Sequence, residues 1–121
     1  MIKYCQVIKM ANSNSFFNAD LLVLSILKVE DCYGYELVKK IKEISDGAME
    51  IKEGTLYPVV HTLLKKGYIS GNEKLVNKKV RVYYHLEPTG LEYLEETVKN
   101  FKRSIKGVIK IVEYGEGIKS E

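Results

Sequence analysis

Lys78, Lys79 and Arg81 fall within four consecutive positions, and His61, Thr62, Lys65 and Lys66 form a second polar cluster shortly before them. Ammonium and guanidinium groups neutralise phosphate, whereas histidine and threonine carry short donors and acceptors that can meet base edges. The charge distribution agrees with that chemistry. From Lys52 to Leu86 there are seven basic residues against two acidic ones, while the segments before and after each hold six against seven. The whole formal excess of +3 therefore sits in the middle of the chain. This is the footprint of a polyanion-binding surface; a merely solvated lysine-rich face is the plainer alternative. Catalytic sets are missing from the sequence. His61 and His85 stand apart with no Ser-His-Asp or Cys-His pattern, and Cys5 and Cys32 make neither a zinc cluster nor a disulfide framework. The expectation is a protein that is not an enzyme, with no cofactor and no metal.

Positioning such clusters requires a folded body. A chain of 121 residues that is 45% apolar and 29% charged is one ordinary globular domain by default. Its densest apolar run, Leu21 to Leu27, is far short of the roughly 20 residues of a spanning helix. The N-terminus lacks the pattern of a signal peptide, so a cytoplasmic location is expected, with no membrane partner. Residues 1–17 read as a lead-in, with Met10 an alternative start. Asn18 or Asp20 is placed to cap a helix through Leu21, Leu22, Leu24, Ile26 and Leu27. After a short break at Asp31-Cys32-Tyr33-Gly34, Leu37, Val38, Ile41 and Ile44 mark a second helix that ends at Asp46-Gly47.

Leu56, Val59, Val60, Leu63 and Leu64 give a third helical stripe, with Gly67 as its stop. The opposite arc holds Pro58, His61, Thr62 and Lys65, with Thr55, Tyr57 and Lys66 at its margins. Pro58 predicts either a helix starting near Tyr57 or a kinked first turn. Val80, Val82, Tyr84 and Leu86 then alternate with Arg81, Tyr83 and His85 as a strand. Its partner is expected over Tyr68 to Lys74, leaving Leu75 to Lys79 as the tip. Pro88 opens a long last helix with Leu91, Leu94, Val98, Phe101, Ile105, Val108 and Val112 at alternating spacings of three and four. Such a seam predicts packing against a second copy. Gly115 and Gly117 mark a frayed tail.

The expected fold is mainly α with a small β-hairpin, an α+β winged helix-turn-helix carrying a long C-terminal dimerisation helix. Its boundaries are 18–87 for the winged domain, 88–114 for the dimerisation helix and 115–121 for the tail. An amphipathic third helix can enter a major groove about 12 Å wide while a basic hairpin reaches phosphates or the minor groove beside it. The sequence also resembles the PadR-type transcriptional regulators. Tyr33-Gly34-Tyr35-Glu36-Leu37, Gly54-Thr55-Leu56-Tyr57-Pro58, Lys66-Gly67-Tyr68-Ile69 and Arg81-Val82-Tyr83-Tyr84-His85-Leu86 carry the resemblance, in order, within about Asp20 to Leu94.

That resemblance implies a homodimeric regulator, mostly a repressor, of the branch with a single C-terminal helix. It also implies that the third helix and wing bind double-stranded operator DNA. The residues that follow from it are Thr55, Tyr57, Pro58, His61, Thr62, Lys65 and Lys66 on the helix, and Lys78, Lys79 and Arg81 on the wing. Lys52 stands where relatives often have a capping serine, and Glu87 where a threonine is expected. The chain has no tryptophan with which to stack a flat drug at a dimer interface.

Two other readings stay open. One is a sensor for a small apolar or aromatic effector, held near Phe101, Ile105 and Tyr114. The other is a winged-helix module for protein or RNA. Tyr33 and Tyr35 are expected to pack between the first two helices. Tyr57 could stack on DNA or pack inward, and His85 is expected to be an inert surface group.

Overall fold

The computed structural model describes residues 19–118. The expected lead-in over 1–17, the Met10 start, Cys5, the Asn18 cap and the last three residues of the tail lie outside the described residues. The element order is α1 (Ala19–Val29), β1 (Cys32–Tyr33), α2 (Gly34–Ile44), α3 (Glu53–Lys65), β2 (Ile69–Val76), β3 (Lys79–Leu86) and α4 (Pro88–Gly115). The class is the expected α+β winged helix-turn-helix with a long last helix. The sheet is antiparallel in the order β1-β3-β2.

Ala19–Leu94 forms one compact unit and α4 from Glu95 onward belongs to a second. The core of the first unit contains Leu24, Leu37, Leu56, Val60, Leu63, Ile69, Tyr84 and Leu94, all buried. Its three helices come from the apolar stripes, and each end has a local cause. Asp20 lies inside the first turn of α1, where its carboxylate accepts the Leu21 N–H at 2.9 Å and the Tyr93 hydroxyl at 2.7 Å. The Glu36 carboxylate accepts the Tyr33 N–H at 3.2 Å, which satisfies a donor at the start of α2. The chain leaves α2 through Asp46 and Gly47, both with positive φ, and the Ser45 hydroxyl donates to the Ile41 carbonyl at 2.7 Å.

Four expectations change. The break after α1 contains a strand, since Cys32 pairs with Tyr84 and Tyr33 with Tyr83. Of the two alternatives for α3, a start near Tyr57 is excluded: the helix begins at Glu53, with Pro58 inside it. Proline at the sixth helical position removes a single bond, to the Gly54 carbonyl, and that glycine is exposed to water. The third change is in β2, which runs from Ile69 to Val76 instead of Tyr68 to Lys74. The tip accordingly shrinks to Asn77-Lys78. Both tip residues have positive φ, the two-residue turn whose twist matches the strands it joins. Finally Leu94, expected as the second residue of the dimer seam after Leu91, is 2% exposed and belongs to the core of the first unit.

The start of α4 is fixed to that unit by close backbone approach. The Glu87 N–H donates to the Tyr68 carbonyl at 2.9 Å and the Thr89 hydroxyl to the Gly67 carbonyl at 2.8 Å. The Tyr68 and Tyr93 rings stack at 4.6 Å. Further along α4, Val98, Phe101, Ile105 and Val108 remain partly exposed and Val112 is exposed.

Candidate nucleic-acid interface

Every α3 residue assigned to DNA from the sequence reaches solvent. Thr55, Tyr57, Pro58, His61, Thr62, Lys65 and Lys66 are all exposed, and no carboxylate interrupts the chain between Gly54 and Lys66. The N-terminal end has no side-chain cap, because Lys52 holds only a backbone role: its carbonyl accepts the Thr55 and Leu56 N–H groups at 3.0 Å each. Thr62 is partly committed, since its hydroxyl donates to the Pro58 carbonyl at 3.0 Å. Its remaining capacity is that of an acceptor.

Tyr57 has a second allegiance. Its hydroxyl oxygen lies 2.9 Å from the point where a Cβ on Gly34 would stand. The ring thus closes on the first turn of α2 while one side stays open to water, so packing and an outward role coexist in one side chain.

On the wing, strand alternation separates two faces. One carries Cys32, Ile69 and Tyr84, all buried against the core. The other carries Tyr33, Tyr83, Arg81, Lys74 and His85. There the Arg81 guanidinium lies 5.1 Å from the Tyr33 ring centre and Lys74 lies 4.9 Å from that of Tyr83. The two rings meet edge to face at 5.3 Å. Arg81 is therefore anchored on the sheet, while Lys78 and Lys79 at the tip are exposed. Tyr33 packs on β3 rather than between the first two helices, and Tyr35 is exposed; both differ from the expectation. Lys74 was missed, although its pairing with Arg81 follows once β2 is extended to Val76.

His85 is not inert. Its Nδ1 lies 2.8 Å from the Asp31 carboxylate, which holds the end of α1 to β3. The hydrogen bond and the charge of Asp31 raise the imidazole pKa above its ordinary 6.5. A raised folded-state value makes the contribution to stability full below the unfolded pKa of about 6.5 and lost as pH rises through the folded value. Asp31→Asn is therefore expected to destabilise the protein at pH 5.5 more than at pH 8.5. Equal losses in melting temperature at the two values would exclude this coupling.

A cavity of about 150 Å³, lined by Leu22, Ser25, Ile26, Ile41, Ile44, Ser45 and Met49, lies between α1 and α2. It is below the roughly 300 Å³ at which pockets for drug-sized ligands begin. Tyr114, expected to help hold an effector, is exposed. Among the described residues no group of His, Cys, Asp and Glu could hold a metal ion, and no helix is long and apolar enough to cross a membrane.

An exposed third helix beside a cationic two-stranded hairpin defines a winged helix-turn-helix protein. Residues 23–96 match the transcriptional regulator PadR-like family, and the chain belongs to that family. A transcriptional regulator from Clostridium thermocellum is 33% identical, with a TM-score of 0.73 over 88% of this chain and 98% of that one. Transcriptional regulator YqjI of Escherichia coli (strain K12) is 33% identical over 76 residues; the match covers 63% of this chain but only 35% of YqjI. Bacillus subtilis PadR, solved in complex with operator DNA, shares the fold at 21% identity and a TM-score of 0.62, over 66% of this chain and 46% of that one.

Proposed function

We propose that this chain is a homodimeric transcriptional repressor that binds double-stranded operator DNA through α3 and the wing. The observation that carries this reading is the acid-free exposed face from Thr55 to Lys66 standing in one compact unit with the Lys78-Lys79 tip. In this scheme His61 and Thr62 meet base edges in the major groove, with Thr62 as acceptor, and Lys65 and Lys66 hold the backbone. The tip lysines neutralise phosphate and supply affinity without regard to sequence. A second copy, joined through Phe101, Ile105, Val108 and Val112 of α4, presents a second α3 to the next half-site, one helical turn away or a multiple of it. The winged domain over 18–87 and the dimerisation helix over 88–114 then divide the work. The operation of such a repressor is cytoplasmic. An effector is not required by this reading, and the small α1/α2 cavity gives none a preferred place.

Binding of the purified protein to its own upstream DNA over a salt series tests the proposal. The Lys78→Ala/Lys79→Ala double variant should weaken specific and non-specific binding together and flatten the salt slope by roughly two per wing. An unchanged slope would make the wing a structural hairpin. Footprinting that finds one short asymmetric segment would remove the paired half-sites.

A further inference from the structure

Two apolar side chains stand near the tip of the wing. Leu75 and Val80 oppose each other across one rung of the β2–β3 ladder and are 74% and 64% exposed. They lie on the sheet face that further in holds Val82 and then the buried Tyr84, Ile69 and Cys32. The core-facing side of the sheet thus runs past the core and emerges uncovered. Around it the wing is cationic, with Lys78 and Lys79 beyond the rung and Lys74 and Arg81 on the reverse face. None of these four is in an ion pair among the described residues.

The combination selects the kind of surface it fits. The centre of a protein interface is depleted of charge, whereas this pair sits among four cations. A DNA minor groove has the matching layout: two phosphate rails outside and deoxyribose walls within. We propose, resting on the DNA-binding reading above, that Leu75 and Val80 form an apolar wedge that packs on the deoxyribose walls of the minor groove flanking the α3 contact. Lys78 and Lys79 meanwhile reach the rails. The wedge reads groove width rather than base identity, and so favours the narrow groove of A·T-rich flanks. Its depth has a stop. Glu73 lies on the same face two residues behind Leu75, and phosphate repels its carboxylate.

The test uses the full-length protein and duplexes holding its upstream site with either A·T or G·C flanks. Leu75→Thr/Val80→Thr places β-branched side chains, which strands favour, at both positions and removes no charge. Its affinity for the A·T-flanked duplex should fall roughly tenfold with the salt slope unchanged, and the preference for A·T flanks should vanish. Leu75→Met/Val80→Ile should retain both. A double-threonine variant that binds like wild type and keeps its flank preference overturns the wedge alone. Wild-type protein that binds no duplex overturns the DNA-binding reading, and the wedge with it. Loss of sedimenting mass in the double-threonine variant without DNA would assign the pair to contact between copies, and would also overturn the proposal.

Discussion

Gly90→Ala is expected to destabilise the protein by about 3 kcal/mol and lower its melting temperature by at least about 10 °C. A Cβ at this position would stand 2.1 Å from the Tyr68 carbonyl oxygen and 2.8 Å from a Leu86 methyl carbon. The backbone obstacle cannot rotate aside, so either α4 lifts or the start of β2 shifts. Either movement strains the Glu87 N–H bond to that carbonyl and the Tyr68–Tyr93 stack. Ordinary helix propensity predicts the opposite sign, since alanine in a helix interior is about 1 kcal/mol better than glycine. Gly107 in the same helix has nothing within 4 Å of its added Cβ and provides the control: Gly107→Ala should leave stability equal or raise it. Thermal unfolding of both variants gives the answer, and a neutral Gly90→Ala would mean that the start of α4 is not seated against Tyr68 as described.

On the proposed dimer reading, Phe101→Asp/Ile105→Asp is expected to convert the protein to monomers or insoluble chain, with roughly a hundredfold or greater loss in self-association. A carboxylate placed in an apolar helix seam must be desolvated without a partner, and each seam residue repeats across a two-fold axis, so each substitution counts twice per dimer. Both residues are already partly covered within one chain, which means the double variant could fail through folding alone. Val112→Asp separates the two causes. Val112 is 52% exposed in the single chain, so the substitution should spare the fold and still weaken the dimer. Sedimentation velocity across a concentration series distinguishes these results. An unchanged dimer in both variants would mean that the seam faces its own chain.

The helices were legible because their apolar stripes are long enough to show a period. Leu37, Val38, Ile41 and Ile44 place α2, and Leu56 to Leu64 place α3, without help from any distant residue. Strand β1 was invisible for the opposite reason. Two residues have no period, and Cys32 and Tyr33 become a strand only by pairing with β3. The last two residues of β2, Leu75 and Val76, were read as part of the tip because the exposed polar stretch Ser70-Gly71-Asn72-Glu73-Lys74 before them shows no alternation that would carry the strand onward. The turn that sets its register is Asn77-Lys78, and lysine is a weak signal for the left-handed backbone it adopts.

The exposed face of α3 followed directly from the stripe behind it. What did not follow were contacts between remote residues. His85 meets Asp31 from 54 positions away, and Arg81 on β3 lies over Tyr33 on the neighbouring strand, far from it in sequence. Sequence spacing carries no record of either.

The contact between Tyr57 and Gly34 makes what position 34 can hold depend on what stands at position 57. A side chain at position 34 would meet the Tyr57 phenol, so the glycine can enlarge only where the ring moves aside or gives way to a smaller residue. Their neighbours are under no such bond. His61 and Lys65 are exposed on the same helix and no hydrogen bond or ion pair engages either among the described residues. On the proposed reading, a lineage acquiring a new operator would therefore vary those positions first and leave the glycine under the Tyr57 ring in place. Specificity becomes mutable at the open end of α3, while its contact with the first turn of α2 changes more slowly.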